Sequence, residues 1–202
     1  IIIAIAPLAA GSTSPNVSLS ASDADAAINE CDAQDVLDIY AAIQQTTAGS
    51  LGRRDKYDIH NAPPQSIREP MRYAATTEPQ DTIAALWGFG YQSLWDTAVS
   101  DLQNYETHAA RWEQSIITTA LAQLARTPDS LITRRYGRQK SLQVSSEAAA
   151  LLSLPEEERL SAIEAFDWRL RHPCRINPGT TADLVAAALY VYLWNSYFRE
   201  LF

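Results

Sequence analysis

The 202-residue sequence is poor in the side chains that bind metals and form disulfides. It has two cysteines and three histidines, which are scattered along the chain without the short spacings of a zinc site. Two distant cysteines, Cys31 and Cys174, do not make the disulfide framework of a small secreted domain. We therefore expect a reducing, cytoplasmic compartment.

Basic residues are also in the minority. Lys and Arg number 16 against 24 Asp and Glu, which gives a net charge of −8. A nonspecific nucleic-acid binder relies on a basic surface, so we do not expect a nucleic-acid partner. This overall acidity leaves room for a local basic pocket that binds a phosphorylated small molecule.

An uninterrupted apolar run of the length that spans a membrane is absent as well. The opening segment "IIIAIAPLAA" is about half the length that a membrane-spanning helix needs, and Pro7 interrupts it. It also lacks the basic leading segment of a signal peptide. We therefore expect no membrane association and interpret the run as a buried helix entered partway along. Because the sequence does not begin with Met, we expect the domain to be incomplete at its amino terminus.

The apolar residues recur at helical spacing, and no alternating strand pattern is convincing. The pattern predicts a single all-α domain over residues 1–202. The predicted helices cover 1–10, a short segment from Ser22, 35–45, 66–75, one long helix from Pro79 through Leu102, 109–124, 140–152, a helix after Pro155, and 180–202. The intervening polar segment 46–65 is predicted to be a loop, and loops of that length in compact domains are often functional.

The first segment with possible chemistry is "NPGTTADL", residues 177–184, at the start of the last predicted helix. Thr180 and Asp183 have the spacing of a capping box, in which each side chain bonds a backbone amide at the other end of the turn. A helix N-terminus is also an anion site, although a phosphate beside Asp183 would need Mg²⁺ between them. Taken alone, the segment favours capping over ligand binding.

Two further segments carry phosphate-binding candidates. "TPDSLITRRYGRQ", residues 127–139, presents Arg134 and Arg135, whose guanidinium groups suit bidentate phosphate contacts. A solvated basic helix end is the alternative. "SLGRRDKYDIHNAPP", residues 50–64, is a loop with Gly52, Asp55 and Asp58, which could equally be an ordinary solvated loop.

Together these segments resemble the triphosphoribosyl-dephospho-CoA synthase family, and most of all its archaeal-type branch. "RINPGTTADL" is similar to the family motif N-P-G-[ST]-x-A-D-L, and "DSLITRRYG" is similar to the segment D-[ST]-L-I-x-R-[KR]-x-G. "GSLGRRDKYDI" resembles the glycine-containing loop of the same branch. The family's Pro-Gly-x-V-x-R and Gly/Asn/Thr segments are not in the sequence. We therefore expect it to represent the carboxyl-terminal two-thirds of the family domain and to be inactive alone, unless a partner chain supplies those motifs. A homo-oligomer is the alternative assembly.

The resemblance implies an all-α transferase that uses ATP and dephospho-CoA. The 2′-hydroxyl of the acceptor would attack the anomeric carbon of the ATP ribose and expel adenine. The implied nucleotide- and phosphate-binding residues are Gly52, Arg134, Arg135, Asn177, Gly179 and Thr180. The implied catalytic carboxylates are Asp55, Asp58 and Asp183, with Asp58 and Asp183 also as ligands of Mg²⁺.

Two other functions are compatible with the sequence. One is a related nucleotide-dependent transferase in pterin-linked one-carbon cofactor metabolism. The other is a non-catalytic helical subunit, whose apolar first and last helices would be buried against a partner.

Overall fold

Helices account for all the regular structure in the part of the chain that the computed structural model describes, namely residues 2–12, 17–45, 54–108, 112–173 and 175–196. The all-α prediction is therefore confirmed. The helices are α1 (Ile2–Gly11), α2 (Ala21–Glu30), α3 (Ala33–Gln45), α4 (Arg68–Thr76), α5 (Thr82–Phe89), α6 (Gln92–Leu94), α7 (Ser100–His108), α8 (Trp112–Arg126), α9 (Ser130–Tyr136), α10 (Arg138–Leu152), α11 (Glu156–Arg171) and α12 (Gly179–Ser196).

A helix break at Gly90 separates α5 from the segment that follows. Gly90 has φ +112° and ψ 157°, a conformation that is almost exclusive to glycine. The carboxylate of Asp25 lies against this bend and accepts the amide of Tyr91 at 3.1 Å. The single helix predicted from Pro79 through Leu102 is therefore wrong. Instead α5 ends at Phe89, and α6 leads through a π-helical turn, Trp95–Val99, into α7.

Replacing Gly90 with alanine should lower the free energy of unfolding by more than the same change at Gly137. Both glycines have positive φ, so each alanine would cost about 1–3 kcal/mol in backbone strain. At Gly90 an added Cβ would also lie 2.9 Å from an oxygen of Asp25, whereas at Gly137 it would meet nothing within 4 Å. Urea denaturation of the two variants measures this difference, and equal losses would contradict it.

The last helix, α12, lies centrally among the others. It packs against α1, α8 and the π-helical turn, and its residues Ala187, Ala188 and Val191 are fully buried. These three side chains belong to a core formed mainly with α1, α2, α3, α5 and the π-helical turn. A second core lies among α8, α9, α10 and α11. The helix α12 begins beside the second core and continues into the first. The first core therefore holds the body of α12, and the second core lies next to its N-terminus.

None of the described helices combines the length and the apolar character needed to cross a bilayer.

Candidate functional site

The N-termini of α9 and α12 meet at one buried carboxylate, Asp129, which is 2% exposed. Its Oδ1 accepts the amides of Leu131 and Ile132 at 2.9 and 3.0 Å, so it caps α9. Its Oδ2 accepts the amide and the hydroxyl of Thr181 at 2.8 and 2.9 Å, so it also caps α12. The positive ends of two helix dipoles therefore converge on one negative charge.

A second contact joins the same two helix ends. The hydroxyls of Ser130 and Thr180 lie 2.8 Å apart and are buried. Because α12 begins at Gly179, Thr180 is inside the first turn and not in front of it. The prediction that Thr180 and Asp183 form the capping box of this helix is therefore wrong. The amide of Thr181, in the first turn, is capped by Asp129 from another segment.

Gly179 lies against Leu131 of α9. A Cβ on Gly179 would lie 2.6 Å from Cδ2 of Leu131, so an alanine there would force the Leu131 side chain to move. The amide of Gly179 donates to the carbonyl of Asn177 at 2.8 Å. With the amide of Thr181 also bonded and no N–H on Pro178, this helix end has little capacity left for an external anion.

The variant Gly179→Ala should therefore be destabilised by overpacking, by about 1–3 kcal/mol. Leu131→Ala removes the side chain that the new methyl group would meet, so the double variant should lose less stability than the sum of the two single variants. Denaturant unfolding of the four proteins in this cycle checks the coupling. If the stability losses of the two single variants add up to that of the double variant, contact with Leu131 is not the reason that Gly179→Ala is destabilising.

Arg134, one helical turn after Ser130, forms an ion pair with Asp81. The two side chains are 13% and 16% exposed, and Nε of Arg134 is buried with no partner in the described part of the chain. The other carboxylate oxygen of Asp81 accepts the amides of Ile83 and Ala84 and thereby caps α5. Arg134 therefore joins α9 to α5, whereas its neighbour Arg135 is exposed and accessible to a ligand.

The described part of the predicted loop begins at Arg54, which lies against the turn that precedes Asp81. The Arg54 guanidinium donates to three carbonyls of this turn: Thr77 at 3.4 Å, Glu78 at 3.2 Å and Pro79 at 2.7 Å. The loop, the turn, α9 and α12 thus form one connected network of hydrogen bonds.

The carboxylates predicted to be catalytic have different environments. Asp58 is 7% exposed and accepts the amides of Arg54 and His60 at 2.7 and 2.9 Å, which holds the loop in shape. Asp55 is exposed on the same loop. Asp183 is half-buried and is the fifth residue of α12, three residues after Thr180 and therefore on the same face of the helix. Gly52 lies outside the described residues.

No three acidic, histidine or cysteine side chains in the described segments form a group that could hold a metal ion. Asp58 does not fit as a Mg²⁺ ligand, since it is buried and both of its oxygens accept backbone amides. Asp183 is the more accessible of the two predicted ligands. Magnesium in nucleotide sites is commonly bound by one or two carboxylates together with the phosphates.

Sequence patterns alone do not identify Asp129 and Asp81 as elements of this site. Each has the local signature of an N-cap, an aspartate directly before a helical run, and each does cap the helix that follows it. Their second partners, Thr181 and Arg134, are 52 and 53 residues away along the chain. No local pattern predicts contacts over that separation.

The fold is all-helical, the two motif segments meet at this junction, and comparison with known proteins identifies the class of protein. The family model for CitG, ATP:dephospho-CoA triphosphoribosyl transferase, matches residues 1–201. The chain therefore belongs to this family and is a transferase.

A solved structure has a similar fold. The structure described as a triphosphoribosyl-dephospho-CoA synthase from Archaeoglobus fulgidus superposes with a TM-score of 0.70 at 19% sequence identity. The match covers 96% of this chain and 81% of that chain. The expectation that the sequence represents only two-thirds of the family domain is therefore wrong, since it corresponds to a larger share. The comparison with curated protein sequences gives no match.

Proposed function

We propose that the junction of α9 and α12 is where this chain transfers the triphosphoribosyl group of ATP to dephospho-CoA. The observation that carries this proposal is the shared capping of the two helices by Asp129, whose two oxygens bond one helix each. The two segments with the most specific family resemblance are 127–139 and 177–184. They are far apart in the sequence and come into contact at this junction. The N-termini of α9 and α12 are both held by hydrogen bonds to the buried Asp129, which suits a site that must align two substrates.

The reaction forms a bond between the acceptor 2′-hydroxyl oxygen and the anomeric carbon of the ATP ribose. The bond from that carbon to adenine breaks, and adenine leaves with the bonding electrons and takes up a proton. The hydroxyl must lose its proton, which requires a general base within hydrogen-bonding distance. We assign this role to Asp183, because it is partly accessible near the N-terminus of α12, whereas Asp58 is buried and engaged by the backbone. Asp55, exposed on the loop, is the second choice.

The triphosphate would be recognised by the basic end of α9. Arg135 is exposed there, and Arg134 adds positive charge while Asp81 holds it in place. Asn177, which is exposed directly before α12, supplies an amide side chain to the same region. Gly179 and Thr180 act by packing and by the bond to Ser130, and so they support the site without a ligand contact. Mg²⁺ would be bound mainly by the phosphate oxygens and would neutralise part of their charge.

Location and assembly complete the proposal. ATP and dephospho-CoA are intracellular metabolites, so we place the reaction in the cytoplasm. A partner chain would supply the family's Pro-Gly-x-V-x-R and Gly/Asn/Thr segments, which this sequence does not contain. A homo-oligomer is the alternative assembly.

Incubation of the complete protein with ATP, Mg²⁺ and dephospho-CoA should release free adenine, which chromatography quantifies. Adenine should appear only when both substrates are present, and in amounts equal to the acceptor consumed. Release of phosphate or ADP without adenine would contradict the proposal. Adenine formed from ATP alone would indicate hydrolysis instead of transfer.

A further inference from the structure

We propose that a cleft between α8 and α11 binds the pantetheine arm of dephospho-CoA. This inference rests on the proposed function, which makes dephospho-CoA the acceptor. The cleft encloses about 890 Å³, within the range of roughly 300–1,000 Å³ that is common for small-molecule sites. Its floor is apolar and is formed by Leu121, Leu124, Ile163, Phe166, Leu170 and Ile176.

One end of the cleft opens at the junction of α9 and α12. Asn177, Pro178, Thr181 and Ala182 line that end, and Thr181 is the residue whose amide and hydroxyl bond Asp129. Asp183 is the next residue after Ala182 and lies roughly 100° further round the helix. If dephospho-CoA lies along the cleft with its ribose at this end, its 2′-hydroxyl is brought to the part of α12 that carries the proposed base.

The lining matches the chemistry of a pantetheine arm. That arm is a flexible chain with a dimethyl group, two amides and a terminal thiol, and it buries mostly apolar surface. Leu160 and Ile117 line the cleft and are still 50% and 37% exposed, so apolar surface remains for a ligand to cover. Apolar walls with a few polar groups are the usual composition of such sites.

The rim of the cleft carries groups that suit the nucleotide part of the same molecule. Arg175 is exposed, and in the described segments no carboxylate pairs with it, so its guanidinium is available to a diphosphate. Its carbonyl accepts the hydroxyl of Tyr136 at 3.2 Å, which ties this part of the rim to α9. His172 also lines the cleft, and its ring stacks on Trp168 with ring centroids 5.2 Å apart. An aromatic ring and a guanidinium among the lining residues fit an adenine base followed by phosphates.

Charge distinguishes this cleft from another one among α1, α2 and α3. That cleft encloses about 620 Å³, and its charged lining residues are Glu30, Asp35 and Asp38. Three carboxylates would repel a diphosphate. The cleft between α8 and α11 also contains Glu164 and Asp167, but Arg171 bonds Asp167 at 2.7 Å and offsets that charge.

The decisive variant is Ala182→Phe, which fills the end of the cleft from an exposed position and leaves the floor intact. The matched control is Ala150→Phe, at an exposed helical alanine of α10 that does not line the cleft. Titration calorimetry of the complete protein measures binding of dephospho-CoA, 4′-phosphopantetheine and ATP. We expect Ala182→Phe to weaken the first two by about tenfold or more and to leave ATP binding within about twofold, with no change in the control.

A second pair tests the wall of the cleft. Leu160→Gln should weaken 4′-phosphopantetheine binding, whereas Leu142→Gln should not. Leu142, on α10, is 43% exposed, close to the 50% of Leu160, and it does not line the cleft.

A third pair tests the rim. Arg175→Asn should weaken dephospho-CoA more than 4′-phosphopantetheine, and asparagine suits the positive φ of 49° there. Lys140→Gln is its control for loss of one positive charge.

The outcomes separate this inference from the proposed function. If the wild-type protein binds neither dephospho-CoA nor 4′-phosphopantetheine, the cleft assignment is wrong. If adenine is released and Ala182→Phe leaves the KM for dephospho-CoA unchanged, the assignment is wrong and the function stands. If Ala182→Phe weakens binding but the wild type releases no adenine, the assignment stands and the function fails. If sedimentation shows that Ala182→Phe dissociates an oligomer without weakening ligand binding, the cleft is a subunit interface and the assignment is wrong.

Discussion

Replacing Asp129 with alanine should lower the free energy of unfolding by about 3–5 kcal/mol. The carboxylate accepts three backbone amides and one hydroxyl, and alanine would leave all four donors without their acceptor in a buried region. Because α9 and α12 both depend on it, the loss should affect the two hydrophobic cores together. Asp129→Asn should be intermediate, since asparagine keeps one carbonyl oxygen and can therefore cap one of the two helices.

Asp32→Ala is the matched control for this prediction. Asp32 caps α3 through the amides of Gln34 and Asp35, at 2.8 and 3.0 Å, but it is exposed and serves one helix. Its removal should cost about 0.5–2 kcal/mol, as for an ordinary N-cap. Guanidinium denaturation followed by circular dichroism measures all three variants. Equal losses for Asp129→Ala and Asp32→Ala would show that the shared cap does not hold the two helices together.

Asp183→Asn should reduce the rate of adenine release by about 10²–10³-fold if Asp183 accepts the proton of the attacking hydroxyl. Asparagine preserves the size of the side chain but cannot accept that proton. Loss of a negative charge at a helix N-terminus should cost only about 0.3–1 kcal/mol of stability, so the variant should remain folded. The kinetic effect should fall on kcat with little change in the KM for ATP, because binding of the triphosphate is assigned to α9.

The control for this variant is Asp96→Asn. Asp96 is an exposed aspartate in the π-helical turn and bonds Gln92, outside the proposed site. Its activity should match the wild type. Nearly full activity in Asp183→Asn would exclude Asp183 as the general base and would move the search for the base to Asp55.

Much of the fold is predictable from the sequence, because helical periodicity and end signals agree in most segments. Pro155 followed by acidic residues marks the start of α11, and the apolar run after residue 180 marks α12. The break at Gly90 is not predictable in the same way. A glycine inside an apolar helical pattern is compatible with a continuous helix, and only the carboxylate of Asp25, brought from α2, shows why the chain bends there.

The candidate site is predictable as a set of segments but not as a set of contacts. The motifs at 127–139 and 177–184 identify the regions that meet at the junction. They do not show that Asp129 already occupies the N-terminus of α12, or that Arg134 is held by Asp81. Asp58 likewise has a side chain of the type that binds metal ions. Only its burial and its two amide partners show that it holds the loop in shape. Such partners are set by tertiary packing and not by local spacing.

The most direct test of the central claim follows the ribose carbon atoms. The complete protein is incubated with dephospho-CoA, Mg²⁺ and ATP labelled with ¹³C in the ribose, and the products are analysed by mass spectrometry. We predict that the label appears in the acceptor product, joined to it together with the triphosphate, and that the released adenine is unlabelled. Asp183→Asn should form this product at a strongly reduced rate. Label that stays in an adenine nucleotide, with no gain in the mass of dephospho-CoA, would contradict triphosphoribosyl transfer by this protein.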